Sequence, residues 1–320
     1  MLHNRSKLSI APMMAWTHRY FRAMMRAIAP KARLYTEMIT SQAMVLGDIR
    51  SPLMFSECEH PIVCQVGGSD PNLLAQSCHI VNQFGYDEVN LNAGCPSPRV
   101  SKCNMGAKLM TKPQLLWSCF DAMQQASDIP VSVKCRLGVD ELNDYAFIHR
   151  LIKGLAERGC QYITIHARNA WLDGISPKDN RTIPPLNYDR VYQLKQDFPD
   201  VWMEINGGFK TVDAVRNALK HVDSVMIGRL CYEDPMQFSE IYHSIYGGQL
   251  LGRADIVSAF SSYIEKTCED FKQYYCHGLY QLYKGTPFSK QWKQKLIKDA
   301  PNWDSIVSFA KNADQKILMQ

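Results

Sequence analysis

Eight short apolar runs recur between residues 8 and 227, and most are followed by a longer stretch with helical spacing. The runs cover residues 8–11, 33–36, 61–66, 88–92, 130–134, 161–166, 201–205 and 222–227. Most are rich in Val, Ile, Leu and Tyr, as strands covered on both faces require. Helical patterns occupy 71–84, 113–127, 145–158, 188–197 and 212–220, with Asp70 and Thr211 placed to cap two of them. Eight β–α units over about 240 residues predict a (β/α)8 TIM barrel, an α/β fold. A doubly wound open sheet is the alternative. It would want a glycine-rich fingerprint after the first strand, and Ala11-Pro12-Met13-Met14 is not one. The strand pattern stops after Pro235. Residues 1–248 therefore read as the barrel, Gly247-Gly248 as a hinge, and 249–320 as a C-terminal helical domain. In that domain Ile256, Phe260, Tyr263, Ile264, Thr267 and Phe271 recur on one helical face, a packing surface.

Composition narrows the class. With 46% hydrophobic and 21% charged residues in 320, the chain is ordinary globular protein rather than a disordered or low-complexity one. No run approaches the roughly 20 apolar residues of a membrane span, and the N-terminus lacks a signal-peptide core, so a cytoplasmic location is expected. Eleven cysteines, an odd number without a C-x-x-C pair, argue against a zinc ribbon or a disulfide framework; reduced thiols and no metal are expected. The net charge is +5, and residues 249–320 hold 10 Lys/Arg against 7 Asp/Glu. Five lysines and no acid fall from Tyr283 to Lys298. That segment is either a solvated helix face or a surface for an anionic partner such as nucleic acid.

Barrel enzymes work at the C-terminal ends of their strands. Here those ends carry Glu37, Gln65, Asn90 and Asn92 with Gly94-Cys95-Pro96, Lys134 and Arg136, His166 and Arg168, Asn206-Gly207-Gly208, and Gly228-Arg229. Singly, each has a plain structural reading: a snorkelling Lys, a turn-closing Asn. Together they read as a site. The last two loops pair glycines with an arginine where barrels commonly bind phosphate through backbone amides. A ligand with a phosphate that also satisfies Gln65, Lys134 and His166 is implied, and a flavin mononucleotide fits. Cys95, in a tight Gly-Cys-Pro loop, is mostly a thiol at neutral pH and is suited to deliver a proton; a nucleophile is the other reading.

These residues resemble the tRNA-dihydrouridine synthases, and most closely their A subfamily, from Ser9 to about Lys298. The matching blocks are Ala11-Pro12-Met13, Leu34-Tyr35-Thr36-Glu37-Met38, Gln65-Val66-Gly67-Gly68-Ser69-Asp70-Pro71, the run from Gly85 through Asn90-Leu91-Asn92-Ala93-Gly94-Cys95-Pro96-Ser97, and His166-Ala167-Arg168. Asn180-Arg181-Thr182-Ile183-Pro184-Pro185-Leu186, Ile205-Asn206-Gly207-Gly208 and Tyr232-Glu233-Asp234-Pro235 continue the match. The resemblance implies an FMN enzyme, reduced by NADPH, that converts uridine to 5,6-dihydrouridine in the tRNA D-loop at positions 20 and 20a. It implies hydride transfer to C6 and protonation of C5 by Cys95. It further implies a flavin lined by Pro12, Met13, Met14, Gln65, Lys134, His166, Asn206, Gly207, Gly208, Gly228 and Arg229. Asn92, Lys178 and Arg181 would touch the tRNA or its target uracil. Lys290 and Lys293, in the helical tRNA clamp, stand where the family usually has arginines, keeping charge but not the bidentate fork. His18 and Lys108 are further departures.

Three other readings compete. A flavin barrel acting on a free pyrimidine or dihydroorotate-like metabolite would not need the basic tail. A Schiff-base aldolase would use Lys134 as nucleophile and no flavin. A non-catalytic RNA-binding barrel would have no use for Cys95, Lys134 and His166 together.

Overall fold

The computed structural model describes residues 6–48, 50–267 and 272–319. Nine parallel strands form its sheet: β1 (Leu8–Ile10), β2 (Leu34–Tyr35), β3 (Ile39–Thr40), β4 (Ile62–Gly67), β5 (Glu88–Ala93), β6 (Val131–Arg136), β7 (Tyr162–His166), β8 (Trp202–Asn206) and β9 (Ser224–Ile227). Their spatial order is β1-β9-β8-β7-β6-β5-β4-β2, with β3 also on β4. Arg33 donates its amide to the Leu8 carbonyl (3.0 Å) and accepts from Ile10 (2.9 Å), which joins β2 to β1 and closes the barrel. The second unit departs from the single strand expected at 33–36. It breaks after Tyr35 and resumes at Ile39, and Glu37 in the break turns its carboxylate onto the Ala15 amide in the first loop.

The helices stand where the periodicity puts them. Pro71–Phe84 and Tyr188–Asp197 have the expected bounds, while Pro113–Ala126, Tyr145–Ala156 and Val212–Ala218 end one or two residues early. Asp70 caps its helix by accepting from the amides of Asn72 and Leu73, and Thr211 caps its own from Ala214. Gly247 and Gly248 both take positive φ (70° and 92°) after the helix Pro235–Tyr246, so the chain turns there at little steric cost.

Most apolar residues of the strands face outward to the helices, in keeping with period-2 alternation. The barrel's inside is largely polar. At its floor Glu204 accepts from Ser9 (2.7 Å), Thr164 (2.8 Å) and Ser224 (2.9 Å), and Arg33 bridges toward Glu88 (3.2 Å) and Glu204 (3.6 Å). Burial opposes the Arg33 charge, but Glu88, Tyr35 and Glu204 outweigh it and raise the guanidinium above its ordinary value. Ala11, Tyr35, Val63 and Met226 form a small apolar cluster on one side of the lumen.

The C-terminal helices Arg253–Thr267, Ser289–Asp299 and Trp303–Leu318 enclose Trp292, which is fully buried and donates Nε1–H to the Leu279 carbonyl (2.8 Å). Ile256, Phe260 and Ile264 are buried along the first of these, as the pattern predicts; Phe271 lies outside the described residues.

Candidate active site

Cys95 sits in the loop after β5 and is held from three directions. Asn92, at the strand's end, accepts the amides of Gly94 (3.1 Å) and Cys95 (3.0 Å) on one side-chain oxygen. Arg136, at the end of β6, donates Nε–H to the Gly94 carbonyl (3.1 Å). The Cys95 carbonyl accepts from Ala107 (2.9 Å), and Gly106 lies so close that a Cβ there would stand 2.4 Å from the same oxygen. The thiol is left half-buried on a cavity of ≈ 310 Å³ at the barrel mouth.

That cavity gathers most of the residues the sequence singled out. Pro12, Met13, Met14, Gln65, Asn92, Cys95, Lys134, His166, Arg181, Asn206, Gly207, Gly208, Gly228 and Arg229 all line it. Lys178 does not; it is exposed beside the lining residue Pro177, at the start of the short turn Asp179–Arg181. Lys290 and Lys293 lie apart, on the helix Ser289–Asp299. His18 caps the helix Arg19–Ile28 by accepting from the Phe21 amide.

The glycine loops after β8 and β9 form a cradle. Gly207 (φ 126°) and Gly208 (φ 75°) adopt backbone conformations that a side chain would strain. A Cβ on Gly207 would meet His166 and Leu186 at 2.9 Å, and one on Gly208 would meet Leu186 at 2.6 Å. The amides of Gly207, Gly208, Gly228 and Arg229 find no acceptor among the described residues. Arg229 is steered by its bond to the Arg181 carbonyl (3.1 Å). Open amides, close backbone approach and a guanidinium suit a phosphate.

Across the mouth the charge is positive. Lys134 donates to Asn206 Oδ1 (3.2 Å), while Asn206 donates its amide to the Met226 carbonyl (2.9 Å), which fixes that side chain's orientation. Burial, then repulsion by Arg136, lowers the Lys134 pKa to about 8. Burial, then the cations Arg136, Lys134, Arg168 and Arg229, drive His166 well below its ordinary value, so its ring is neutral at pH 7. An imidazole, an ammonium and two carboxamides thus line one cavity with the glycine cradle, His166 standing next to Gly207. This donor set fits a flavin mononucleotide, whose ring has a polar edge and whose tail ends in phosphate.

The sequence gives Trp16, Met38 and Tyr232 no role in the site, and it gives Arg136 a strand end without a task. Trp16 and Tyr232 stack (centroids 3.9 Å apart, planes 7° from parallel) and tie the first loop to the eighth at the cavity wall. Tyr232 stands in one of the matching blocks, Tyr232-Glu233-Asp234-Pro235, which is the signal that could have found it. Nothing local marks Trp16. Arg136 is visible at its strand end, but its partners, the carbonyls of Gly94, Asn169 and Asn180, come from loops far apart in sequence.

A closed parallel barrel with a glycine cradle of open amides after its last two strands, and a thiol on the same cavity, defines a (β/α)8-barrel enzyme of the flavin-dependent kind. Solved structures agree on the fold. The old yellow enzyme from Trypanosoma cruzi superposes with a TM-score of 0.52 at 10% identity, covering 78% of this chain and 90% of that one. A 2-naphthoyl-CoA reductase complex gives 0.55 at 11% identity, covering 76% and 50%. The chain belongs to the dihydrouridine synthase family, whose model matches residues 9–319. It is 46% identical over 293 residues to a tRNA-dihydrouridine(20/20a) synthase of Synechocystis sp., covering 90% of this chain and 88% of that protein. It is 40% identical over 316 residues to the protein of the same name in Xanthomonas campestris pv. campestris, covering 97% and 94%.

Proposed function

We propose that this chain reduces uridine to 5,6-dihydrouridine in the tRNA D-loop, at positions 20 and 20a, with FMN as its flavin and NADPH as the reductant. The observation that carries the reading is the convergence of Cys95 and the amide cradle on one cavity, in a chain of this family. The relatives' names support the substrate and its positions. A cytosolic location follows from the substrate.

The amides of Gly207, Gly208, Gly228 and Arg229 with the Arg229 guanidinium bind the phosphate. Pro12, Met13 and Met14 cover one side of the ring site; Gln65, Lys134, His166 and Asn206 hold its polar edge. FMN, reduced by NADPH, supplies when bound the hydride that adds to uracil C6. Cys95 gives its Sγ proton to C5, so uridine gains two hydrogens, and the thiolate recovers a proton from solvent. Charge developing on the uracil carbonyl calls for nearby N–H donors. The second Nδ2 hydrogen of Asn92 and the guanidinium of Arg181 meet that need. The uracil must leave its stack to reach the mouth, which a tRNA loop permits. Lys178, Lys290 and Lys293 take backbone phosphates, residues 249–320 acting as the clamp.

Unmodified tRNA incubated with the protein, FMN and NADPH should gain two hydrogens at D-loop positions 20 and 20a by fragment mass spectrometry. Cys95→Ala should cut that yield by at least about a hundredfold, the scale of losing a general acid, while still consuming NADPH under air. An unchanged tRNA mass would overturn the reaction. Full product yield from Cys95→Ala would overturn only the proton donor.

A further inference from the structure

Beneath Cys95 the barrel interior holds an unbroken row of side-chain hydrogen bonds. Starting from the amides of Gly94 and Cys95 on Asn92 Oδ1, Asn92 Nδ2 donates to Gln65 Oε1 (2.9 Å) and Gln65 Nε2 to Asn90 Oδ1 (2.8 Å). Asn90 Nδ2 donates to Ser132 Oγ (2.7 Å), and the Ser132 hydroxyl donates to Glu88, whose other oxygen accepts from Arg33. The strand register places Gln65, Asn90 and Ser132 side by side on β4, β5 and β6. All three are buried, none more than 2% exposed.

Both ends of this row have a fixed sense. A backbone amide only donates, and the Arg33-bound Glu88 carboxylate accepts. Every link between them therefore has one workable orientation. Inverting Gln65, for example, would set its NH2 against that of Asn92 and its oxygen against that of Asn90. Buried polar groups left so are costly, which locks the whole row. The row is also local. The apolar cluster of Ala11, Tyr35, Val63 and Met226 borders its foot, Val63 standing beside Glu88 in the register, so apolar side chains also fill this lumen and the polar row is not needed merely to occupy it.

We infer that Asn90 and Ser132 are positioning residues: through Gln65 and Asn92 they hold the Gly94 and Cys95 amides, and with them the Cys95 thiol, in the orientation that serves proton delivery. The inference rests on the reading of Cys95 as the acid. It assigns a task to two residues that touch neither the cavity nor any ligand. Removing the Ser132 hydroxyl takes from Asn90 Nδ2 its acceptor and cuts the row from Glu88, so the amides above it keep their sense only from the loop end and lose the anchor that holds them still.

Hydrogen exchange and kinetics on the flavin-loaded full chain test it. In the wild-type protein the Gly94 and Cys95 amides, though in a loop, should exchange as slowly as the strand amides of β5. Free exchange there would overturn the inference without any variant. In Ser132→Ala both amides should exchange about tenfold faster, the scale of one lost hydrogen bond. Its kcat for dihydrouridine formation should fall by a similar factor, with KM for tRNA and the rate of NADPH-driven flavin reduction unchanged. Ser132→Thr, which keeps the hydroxyl, should restore exchange and kcat together. Wild-type exchange and kcat in a folded Ser132→Ala would overturn the assignment, as would equal losses in Ser132→Ala and Ser132→Thr. If instead Cys95→Ala retains full product yield while Ser132→Ala loosens the amides, the acid reading fails and the row stands only as a scaffold.

Discussion

Lys134 is a cation held where a cation is costly. Burial first, and Arg136 second, bring its pKa down to about 8, whereas an unfolded lysine titrates near 10.4. Between those values the unfolded chain binds more protons than the folded one, so stability rises with pH across that window; below pH 8 the destabilisation is present in full. Urea midpoints of the cofactor-free protein measured from pH 7.5 to 10.5 should therefore climb in the wild type relative to Lys134→Met, whose curve lacks that contribution. Parallel curves would show that the ammonium is not strained. A base at a strand end was legible in the sequence, and so was the Gly207-Gly208 pair, because glycine at such a place has few other uses. The work of Arg136 was not legible. Its hydrogen bonds go to backbone carbonyls, which every residue has, so no side-chain pattern announces them.

At the scale of elements, the sequence located strands and helices well, because covered parallel strands leave a strong apolar signature. It did not reveal the break between β2 and β3, where four pairing residues are shared between two very short strands. Nor did it reveal that the lumen is polar: Asn90, Ser132, Thr164 and Glu204 each alternate with apolar neighbours, and alternation alone does not say which face is inside. The basic segment shows the same limit. Five lysines stand together in sequence, yet Lys284 pairs with Asp234 (3.3 Å) and Lys295 with Asp299 (2.6 Å), partners outside the run. Lys290 and Lys293, one turn apart on the helix Ser289–Asp299, have no salt-bridge partner among the described residues. Charge free of an internal partner is what binding a phosphate needs. Replacing both, Lys290→Gln with Lys293→Gln, should lower the slope of log affinity for tRNA against log salt by about 2, close to one for each phosphate no longer neutralised. Lys284→Gln should leave that slope nearly unchanged. Equal effects at Lys284 and at the pair would mean that the helix acts only through overall charge.

For the whole molecule, the boundary read at 248/249 falls between two helices, Pro235–Tyr246 and Arg253–Thr267, and the core runs across it. The helix Arg19–Ile28 links the two parts. Its Phe21 and Met24 pack so tightly on Gly278 that a Cβ there would lie 2.9 Å from the Phe21 ring. Its Arg19 donates to the Tyr263 hydroxyl (3.1 Å), which in turn reaches Glu59, the buried partner of Arg22 (2.6 Å). Residues 1–248 alone would expose Phe21 and Met24, at about 1.5–3 kcal/mol each, and open the Arg22–Glu59 pair to water on one side. Phe21 also meets the edge of Trp16 (centroids 6.2 Å apart), the ring that stacks on Tyr232 at the cavity wall. The C-terminal helices therefore support the pocket. The full chain should unfold in one transition, with calorimetric and van't Hoff enthalpies equal. A fragment of residues 1–248 should lose several kcal/mol in urea and bind FMN more weakly by fluorescence titration, before any tRNA is added. A fragment that matched the full chain in both would make the helical region a detachable clamp, joined to the barrel only at Gly247-Gly248.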